Sequence, residues 1–240
     1  MSEVAETIEG GNDVLLIADH ASNRVPGDVE LGIPRALLEQ HIAVDIGVEA
    51  LSFALAERLG CSAVLARFSR LVVDLNRDAD DSNVVPTRSD GHAIPGNLAL
   101  GAELRLERIE RYWMPYHALI DARIERRRPK MLLSVHSFTP RLDSYPEEVR
   151  PWQVGILYNR DERAARIAIP LLVAMGIATG DNEPYSGLAL NATMNRHAEA
   201  RDLPYLGIEV RQDLIADPAG ALAWADRLAP VISEVGAALA

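Results

Sequence analysis

The chain has 240 residues, of which 48% are hydrophobic and 25% are charged, and its formal net charge at pH 7 is −11. This composition is typical of a globular protein, and the length suits one large domain with a sizeable core, here predicted over residues 1–240. The negative charge argues against nucleic acid or an anionic membrane as a partner, and no apolar run approaches the roughly 18 residues of a transmembrane helix.

Strand-like and helix-like segments alternate along the chain. The predicted strands are Val14–Ala18, Ala63–Ala66, Leu71–Leu75, Met131–Val135, Val154–Tyr158 and Tyr205–Val210. The predicted helices begin near Pro34 and then cover 45–60, 102–128, 162–175, 192–200 and 218–238. Asp45 is expected to cap the second helix, Gly60 to end it, and Pro115 to kink the third.

This alternation predicts an α/β fold, a single-domain three-layer sandwich with a mixed, mainly parallel sheet. Only the short polar stretch "RFSR" separates Ala63–Ala66 from Leu71–Leu75. Because so short a connection cannot hold a crossover helix, these two strands are expected to pair antiparallel.

Polar residues follow four of the predicted strands, at the ends where open α/β sheets bind ligands. His20, Asn76–Arg77 and His136 each come directly after or close to an apolar run, and Glu209 and Arg211 lie at the end of the last strand. Taken singly, each has an ordinary structural interpretation. Together they predict a site at one edge of the sheet.

The residue types favour a metal-dependent hydrolase. Neutral imidazole is a common zinc ligand, a carboxylate can take a proton from an activated water, and arginine can stabilise an oxyanion. The sequence has no Gly-x-Ser-x-Gly elbow and no Walker or Rossmann glycine pattern, which disfavours serine catalysis and nucleotide binding.

Five segments carry a resemblance to a known family. In chain order they read "ADHASNRVP", "SRLVVDLNR", "DGHAIPGN", "LLSVHSF" and "GIEVRQDLI". Together they resemble the N-formylglutamate amidohydrolase family over about 14–215. That family is similar in fold to the zinc carboxypeptidases and aspartoacylases, so the resemblance implies a zinc-exopeptidase-like architecture and a divalent metal, Zn²⁺ by preference.

The resemblance also implies roles for individual residues. His20 and His136 match two metal-ligating histidines, and Glu209 matches a general base. Arg70 matches an isolated arginine that helps to polarise the carbonyl. Asn76–Arg77 matches an Asn-Arg pair that holds the substrate carboxylate.

The third metal ligand departs from the carboxypeptidase pattern. Asn23 stands where that pattern has a glutamate, and an amide oxygen is a weaker ligand than a carboxylate. Asn23 is therefore one candidate for this ligand, and Asp19 and Asp45 are alternatives.

The expected function is hydrolysis of N-formyl-L-glutamate to formate and L-glutamate, with a small acidic N-acyl amino acid as the partner molecule. Arg211 is expected to bind the side-chain carboxylate, or alternatively to orient Glu209. His197 is a further candidate for substrate binding, with an exposed helix histidine as the alternative.

Two other functions stay open at this point. One is a deacylase or small carboxypeptidase acting on a different N-acyl amino acid, and the other is a metal-free module that binds a carboxylate or phosphate. The single cysteine, Cys61, excludes an intrachain disulfide and suits a reducing cytoplasm. The N-terminal stretch "MSEVAETIEGGND" predicts no signal peptide. The oligomeric state is open, with a homo-oligomer as one alternative.

Overall fold

A computed structural model describes residues 3–239, and its centre is a seven-stranded sheet with the order β1-β3-β2-β6-β9-β7-β8. The strands are β1 (Ala5–Ile8), β2 (Val14–Ala18), β3 (Ser62–Ala66), β6 (Met131–Phe138), β7 (Val154–Leu157), β8 (Thr179–Asp181) and β9 (Tyr205–Arg211). A separate hairpin pairs β4 (Arg88–Ser89) with β5 (His92–Ala93). Strands β2, β3, β6 and β9 run parallel, as do β7 and β8, while the β1–β3 and β7–β9 pairs are antiparallel. The mixed, mainly parallel sheet is confirmed.

Helices cover both faces of the sheet, because alternate residues of its strands are apolar on both sides. The helices are α1 (Val48–Leu59), α2 (Pro95–Leu98), α3 (Ala102–Arg108), α4 (Met114–Arg127), α5 (Arg163–Ala174), α6 (Ala192–His197) and α7 (Pro218–Ala238). Within β2, Leu16 and Ala18 pack in the core that includes α1, α5 and α7, whereas Leu15 and Ile17 pack in the core that includes α4 and α6. The molecule is therefore a three-layer sandwich.

The predicted strand Leu71–Leu75 is wrong. The segment is fully buried but forms turns, and its backbone bonds mainly to side chains instead of a neighbouring strand. The Leu71 carbonyl accepts from Asn97 Nδ2 at 2.8 Å, and the Leu75 carbonyl accepts from His117 Nε2 at 3.0 Å. A short buried apolar run does not by itself distinguish a strand from such a segment. The antiparallel partner of β3 is β1, from the N-terminal stretch.

The predicted helix over 102–128 contains a change in helical geometry before its proline. Residues 109–113 form a π-helical turn between α3 and α4, and Pro115 lies in the first turn of α4. Proline has no amide hydrogen and so removes one backbone hydrogen bond, and the π-helical turn lies directly before this residue.

The start of α1 also differs from the prediction. Its N-cap is Gly47, with a positive φ of 82°, and not Asp45. The C-cap Gly60 is confirmed, with φ 60°. Asp45 lies just before the helix, and its carboxylate turns to histidines at the end of the sheet instead. No helix in residues 3–239 combines the length and the apolar character needed to cross a bilayer.

Candidate active site

Three neighbouring parallel strands place the principal side chains of the site. β6 pairs with β9 in a register that sets His136 opposite Glu209, and β2, on the other side of β6, leads directly into Asp19 and His20. These four residues are buried at the carboxyl end of the sheet. The convergence expected from the sequence is therefore present for His20, His136 and Glu209.

A carboxylate from outside the sheet joins the two histidines. Asp45 Oδ2 lies 2.8 Å from His136 Nδ1 and 3.5 Å from His20 Nδ1. One potential ligand atom from each of these three residues lies within 4.8 Å of the other two. Asp45, one of the alternatives to Asn23, is thus the described carboxylate that could serve as a third metal ligand with His20 and His136.

The opposite nitrogen of each imidazole faces another carboxylate. His20 Nε2 lies 2.8 Å from Asp74 Oδ1, and His136 Nε2 lies 3.7 Å from Asp19 Oδ2. Asp19 is held in turn by the Tyr116 hydroxyl, which donates to its Oδ1 at 2.9 Å. Carboxylates in this position orient metal-ligating histidines and increase their basicity.

The three residues fit a divalent metal ion. His20 Nδ1 is buried and has no hydrogen-bond partner in residues 3–239, although it faces Asp45. Two imidazoles and one carboxylate are a donor set of zinc hydrolases, which keep a fourth position for water. Asp45 is an anion in this group of three residues. Although burial opposes the shift, the histidines lower the pKa of Asp45 well below its ordinary value.

Glu209 has the electrostatic setting of a general base. Burial and the nearby Asp45 carboxylate raise the pKa of Glu209 to about 7, against the opposing effect of His136. Its Oε2 is buried and has no partner among the described residues. A carboxyl with a pKa near neutrality can accept a proton and later return it.

Arg70 lies beside this group with its guanidinium fixed. Its Nη2 donates to Asp74 Oδ2 at 2.8 Å, and its Nη1 donates to Asp45 Oδ1 at 3.4 Å. Although burial opposes it, these two carboxylates raise the pKa of Arg70 above its ordinary value, so it stays cationic. Arg70 also lines the cavity in front of the histidines.

That cavity, which we call the main pocket, has a volume of about 310 Å³ and includes Asn76 and Arg77 in its lining. Asn76 Oδ1 accepts from the Thr193 amide at 3.0 Å, which fixes the side chain and leaves its amino group available to a ligand. Arg77 has a distant ionic partner, Asp81 at 3.8 Å. Arg77 is therefore less neutralised than Arg70.

The structure does not bring three predicted site residues to the main pocket. Asn23 is exposed, and it is absent from the pocket lining. Arg211 pairs with Asp213 at 2.8 Å and donates to the Trp152 carbonyl at 3.3 Å, away from Glu209. Glu209 and Arg211 share a face of β9, but Arg211 is the last residue of the strand, one repeat farther along, where Asp213 and a backbone carbonyl bind its guanidinium.

His197 is also outside the pocket, and it is not an exposed helix residue either. Its ring is completely buried and stacks on His117, with 5.1 Å between the centroids. The short helix α6 packs its inner face against α4. His197 therefore lies in the core that includes α4 and α6 and not at the main pocket.

Asp74 and Asp19 are site residues that the sequence interpretation missed as orienting groups. Both stand beside quoted motif residues, Asp19 directly before His20 and Asp74 two residues before Asn76. Their adjacency to candidate ligands was the available signal. Their roles depend on which imidazole nitrogen they face, and spacing does not give that.

Comparisons with known proteins agree with this geometry. A family model described as N-formylglutamate amidohydrolase matches residues 12–216. The chain belongs to the N-formylglutamate amidohydrolase family. This confirms the resemblance read from the five sequence segments.

Individual relatives and solved structures are similar to this chain over different lengths. An N-formylglutamate deformylase of Pseudomonas aeruginosa is 31% identical over 140 residues, which are 52% of this chain and 50% of that relative. The chain thus matches about half the length of this curated relative. The crystal structure of a gene product from Agrobacterium tumefaciens has a TM-score of 0.93 at 28% identity, covering 99% of this chain and 96% of the other. An N-formylglutamate amidohydrolase from Ralstonia eutropha shares the fold, with a TM-score of 0.75 at 16% identity and 98% coverage of both chains.

Proposed function

We propose that this family member is a metal-dependent amidohydrolase that converts N-formyl-L-glutamate to formate and L-glutamate. The observation that carries the proposal is the His20–Asp45–His136 group next to Glu209, at the base of a pocket that contains Arg70 and Arg77. The family and the Pseudomonas deformylase support the choice of substrate. A reducing, cytoplasmic location is part of the proposal, because the single Cys61 is buried and unpaired.

The first part of the mechanism concerns the water that attacks the formyl carbon. His20, Asp45 and His136 would hold a divalent ion such as Zn²⁺, whose Lewis acidity would activate that water and polarise the formyl oxygen. Glu209 accepts a proton from the water as its oxygen bonds to the formyl carbon. A pKa of about 7 makes Glu209 a competent base near neutral pH.

Glu209 then returns the proton to the amide nitrogen, so that the carbon–nitrogen bond breaks and the amine of glutamate leaves with formate as the other product. Arg70, held by Asp74 and Asp45, stabilises the negative charge that develops on the formyl oxygen. Because its guanidinium is fixed before the substrate binds, little reorganisation accompanies this stabilisation.

The α-carboxylate of the substrate is assigned to Asn76 and Arg77. Arg77 offers a planar fork that can bind a carboxylate through two hydrogen bonds, and Asn76 offers an amino group fixed by Thr193. Arg211 is left out of the substrate site, since Asp213 and a backbone carbonyl occupy its guanidinium.

The test is a formate-release assay on the zinc-loaded protein, with Glu209→Gln as the decisive variant and exposed Glu234→Gln as its control. The Gln side chain keeps the shape of Glu209 but cannot accept a proton, so kcat should fall at least ~100-fold with metal content unchanged. Glu234→Gln should retain wild-type activity. An active Glu209→Gln enzyme would show that Glu209 is structural, and absence of formate release from the wild type would overturn the proposed substrate.

The two alternative functions give different results in the same assay series. A carboxypeptidase or a deacylase with another acyl preference would release amino acid from N-acetyl or peptide substrates faster than from the formyl compound. A metal-free binding module would bind carboxylates without retaining metal after dialysis against a weak chelator. The buried, unpartnered His20 Nδ1 beside Asp45 favours the metal enzyme over the metal-free module.

A further inference from the structure

A second cavity opens beside the main pocket and shares part of its wall. This annex has a volume of about 120 Å³, and its lining includes Arg70, Arg77, Arg88 and Ser89. Arg70, Arg77 and Ser89 line the main pocket as well. Three guanidinium groups therefore surround a small space next to the proposed α-carboxylate site.

The charges of these arginines are balanced to different extents. Arg70 is paired closely with Asp74, but Arg77 meets Asp81 only at 3.8 Å. Within residues 3–239, no carboxylate forms an ion pair with Arg88, whose Nη2 instead donates to the Gly91 carbonyl at 3.0 Å. Asp74 also lines the annex but is paired with Arg70, so Arg77 and Arg88 are left available to an anion from outside the protein.

Arg88 stands on a well-defined hairpin. Asp90 and Gly91 form the turn between β4 and β5, both with positive φ (40° and 82°), as a tight two-residue turn requires. The buried Asp90 carboxylate accepts from His41 Nε2 at 2.9 Å and from the Asp143 amide at 2.8 Å. These bonds fix the hairpin to two other segments and hold Arg88 at the annex.

We propose that Arg88 binds the side-chain carboxylate of the substrate and so determines the preference for an acidic amino acid. This inference rests on the proposed function. A glutamate substrate has two carboxylates, separated by the α carbon and two methylene groups, and it needs two cationic sites. With Arg211 outside the pocket, Arg77 on the shared wall and Arg88 on the annex side of it are the arginines here that lack a close carboxylate partner.

The kinetic test compares N-formyl-L-glutamate with N-formyl-L-glutamine, which has a neutral side chain, on the zinc-loaded protein. Arg88→Met should lower kcat/KM for the glutamate substrate roughly 10-fold, mainly through KM, and leave the glutamine substrate unchanged, since one partly exposed charge-assisted contact is lost. Arg88→Lys should recover part of the loss. Exposed Arg35→Met, which replaces an arginine outside both cavities, should change neither substrate.

A binding measurement separates this inference from the proposed reaction. Glutarate, titrated calorimetrically into wild type and Arg88→Met, should bind the variant roughly 10-fold more weakly, because a dicarboxylate uses both arginines. Equal losses on the two formyl substrates, or unchanged glutarate affinity, would overturn the role of Arg88 while formate release by the wild type upheld the reaction. If the wild type released no formate but glutarate binding still depended on Arg88, the reaction would be wrong and the anion site would stand.

Discussion

The molecule contains two buried pairs of histidines that look alike in burial and spacing. The His20 and His136 ring centroids are 5.0 Å apart, and those of His117 and His197 are 5.1 Å apart. The first pair lies at the carboxyl end of the sheet, edge to face. The second pair is stacked between α4 and α6, in the core on one face of the sheet.

The partners of the rings differ. Asp45, Asp74 and Asp19 face the first pair, and although burial opposes them, they raise the pKa of His20 and His136 above the ordinary value. In the second pair the rings bond to each other at 2.8 Å, and burial lowers the pKa of His117 to about 3 and that of His197 to about 4.

The partners of the rings indicate which histidines can bind a metal. In residues 3–239, His20 Nδ1 is a buried ring nitrogen that faces Asp45 without a hydrogen-bond partner, whereas the four nitrogens of the second pair all have neighbours in hydrogen-bonding range. A metal beside Asp45 would give His20 Nδ1 a partner, but a metal at the second pair would have to break existing hydrogen bonds.

Removing one histidine from each pair should give the largest difference. His136→Ala should lose the bound metal and at least ~1,000-fold in kcat, because a metal supplies several kcal/mol of transition-state stabilisation. His197→Ala should retain one metal per chain and an activity within a few-fold of wild type. Metal analysis and formate release check both variants, and metal loss in both would remove the contrast.

The second pair should contribute more to stability than a partly exposed histidine does. His197→Ala removes a completely buried ring and its hydrogen bonds, so the free energy of unfolding should fall by about 3 kcal/mol. His92→Ala, in the partly exposed hairpin, should change it by less than about 0.5 kcal/mol. Urea unfolding followed by circular dichroism measures both. A stable His197→Ala protein would mean that the second pair contributes little to the fold.

The carboxylates that contact the two pairs of rings should differ in their effect on metal affinity. Asp74→Asn weakens the partner of His20 Nε2 without removing a ligand, so metal affinity should fall ~10- to 100-fold. Asp121→Asn makes the same change beside His197 Nδ1, where the carboxylate lies 3.0 Å away. Competition with a chromophoric chelator should show no change for Asp121→Asn. An equal loss in the two variants would point to a general electrostatic effect.

The sequence predicted the parts of this molecule that depend on local pattern. Val14–Ala18 and Pro218–Ala238 have the predicted bounds, and His20, His136 and Glu209 meet because strand ends of one sheet meet. Leu71–Leu75 failed because side chains distant in sequence satisfy its backbone. Asp45 was one of three candidates for the third ligand and also a plausible helix cap, and local pattern could not show that it is the close neighbour of both histidines.

The sequence also could not distinguish site residues from structural residues of the same type. His136 follows an apolar run and His197 follows the polar pair Asn195–Arg196, yet both are buried, and only His136 faces the main pocket. Arg211 and Arg88 are both arginines near motif residues, and only the structure shows that Asp213 pairs with the first while no carboxylate in the described residues pairs with the second. The sequence does not show which of two similar residues lacks a partner, because that depends on how the chain packs.

The smallest predicted effect is a pH dependence that originates in the second pair. Burial, and then the neighbouring His197, lower the pKa of His117 to about 3 from an ordinary value of 6.5, so the folded protein keeps His117 neutral at pH values where the unfolded chain protonates it. The unfolded state then binds more protons, and the free energy of unfolding falls as the pH decreases below about 6.5, until the folded pKa is reached. Between about pH 7 and pH 5.5 this amounts to ~1 kcal/mol for one histidine.

His117→Gln keeps a donor for the Leu75 carbonyl but cannot titrate, so its stability should decrease by ~1 kcal/mol less than that of wild type over the same interval. Urea titrations of both proteins at the two pH values give this difference directly, and the metal-free form should be used so that titration of the ligands contributes equally to both. Identical pH dependence would show that folding does not lower the pKa of His117, and the electrostatic difference between the two pairs would then be smaller than their hydrogen bonds indicate.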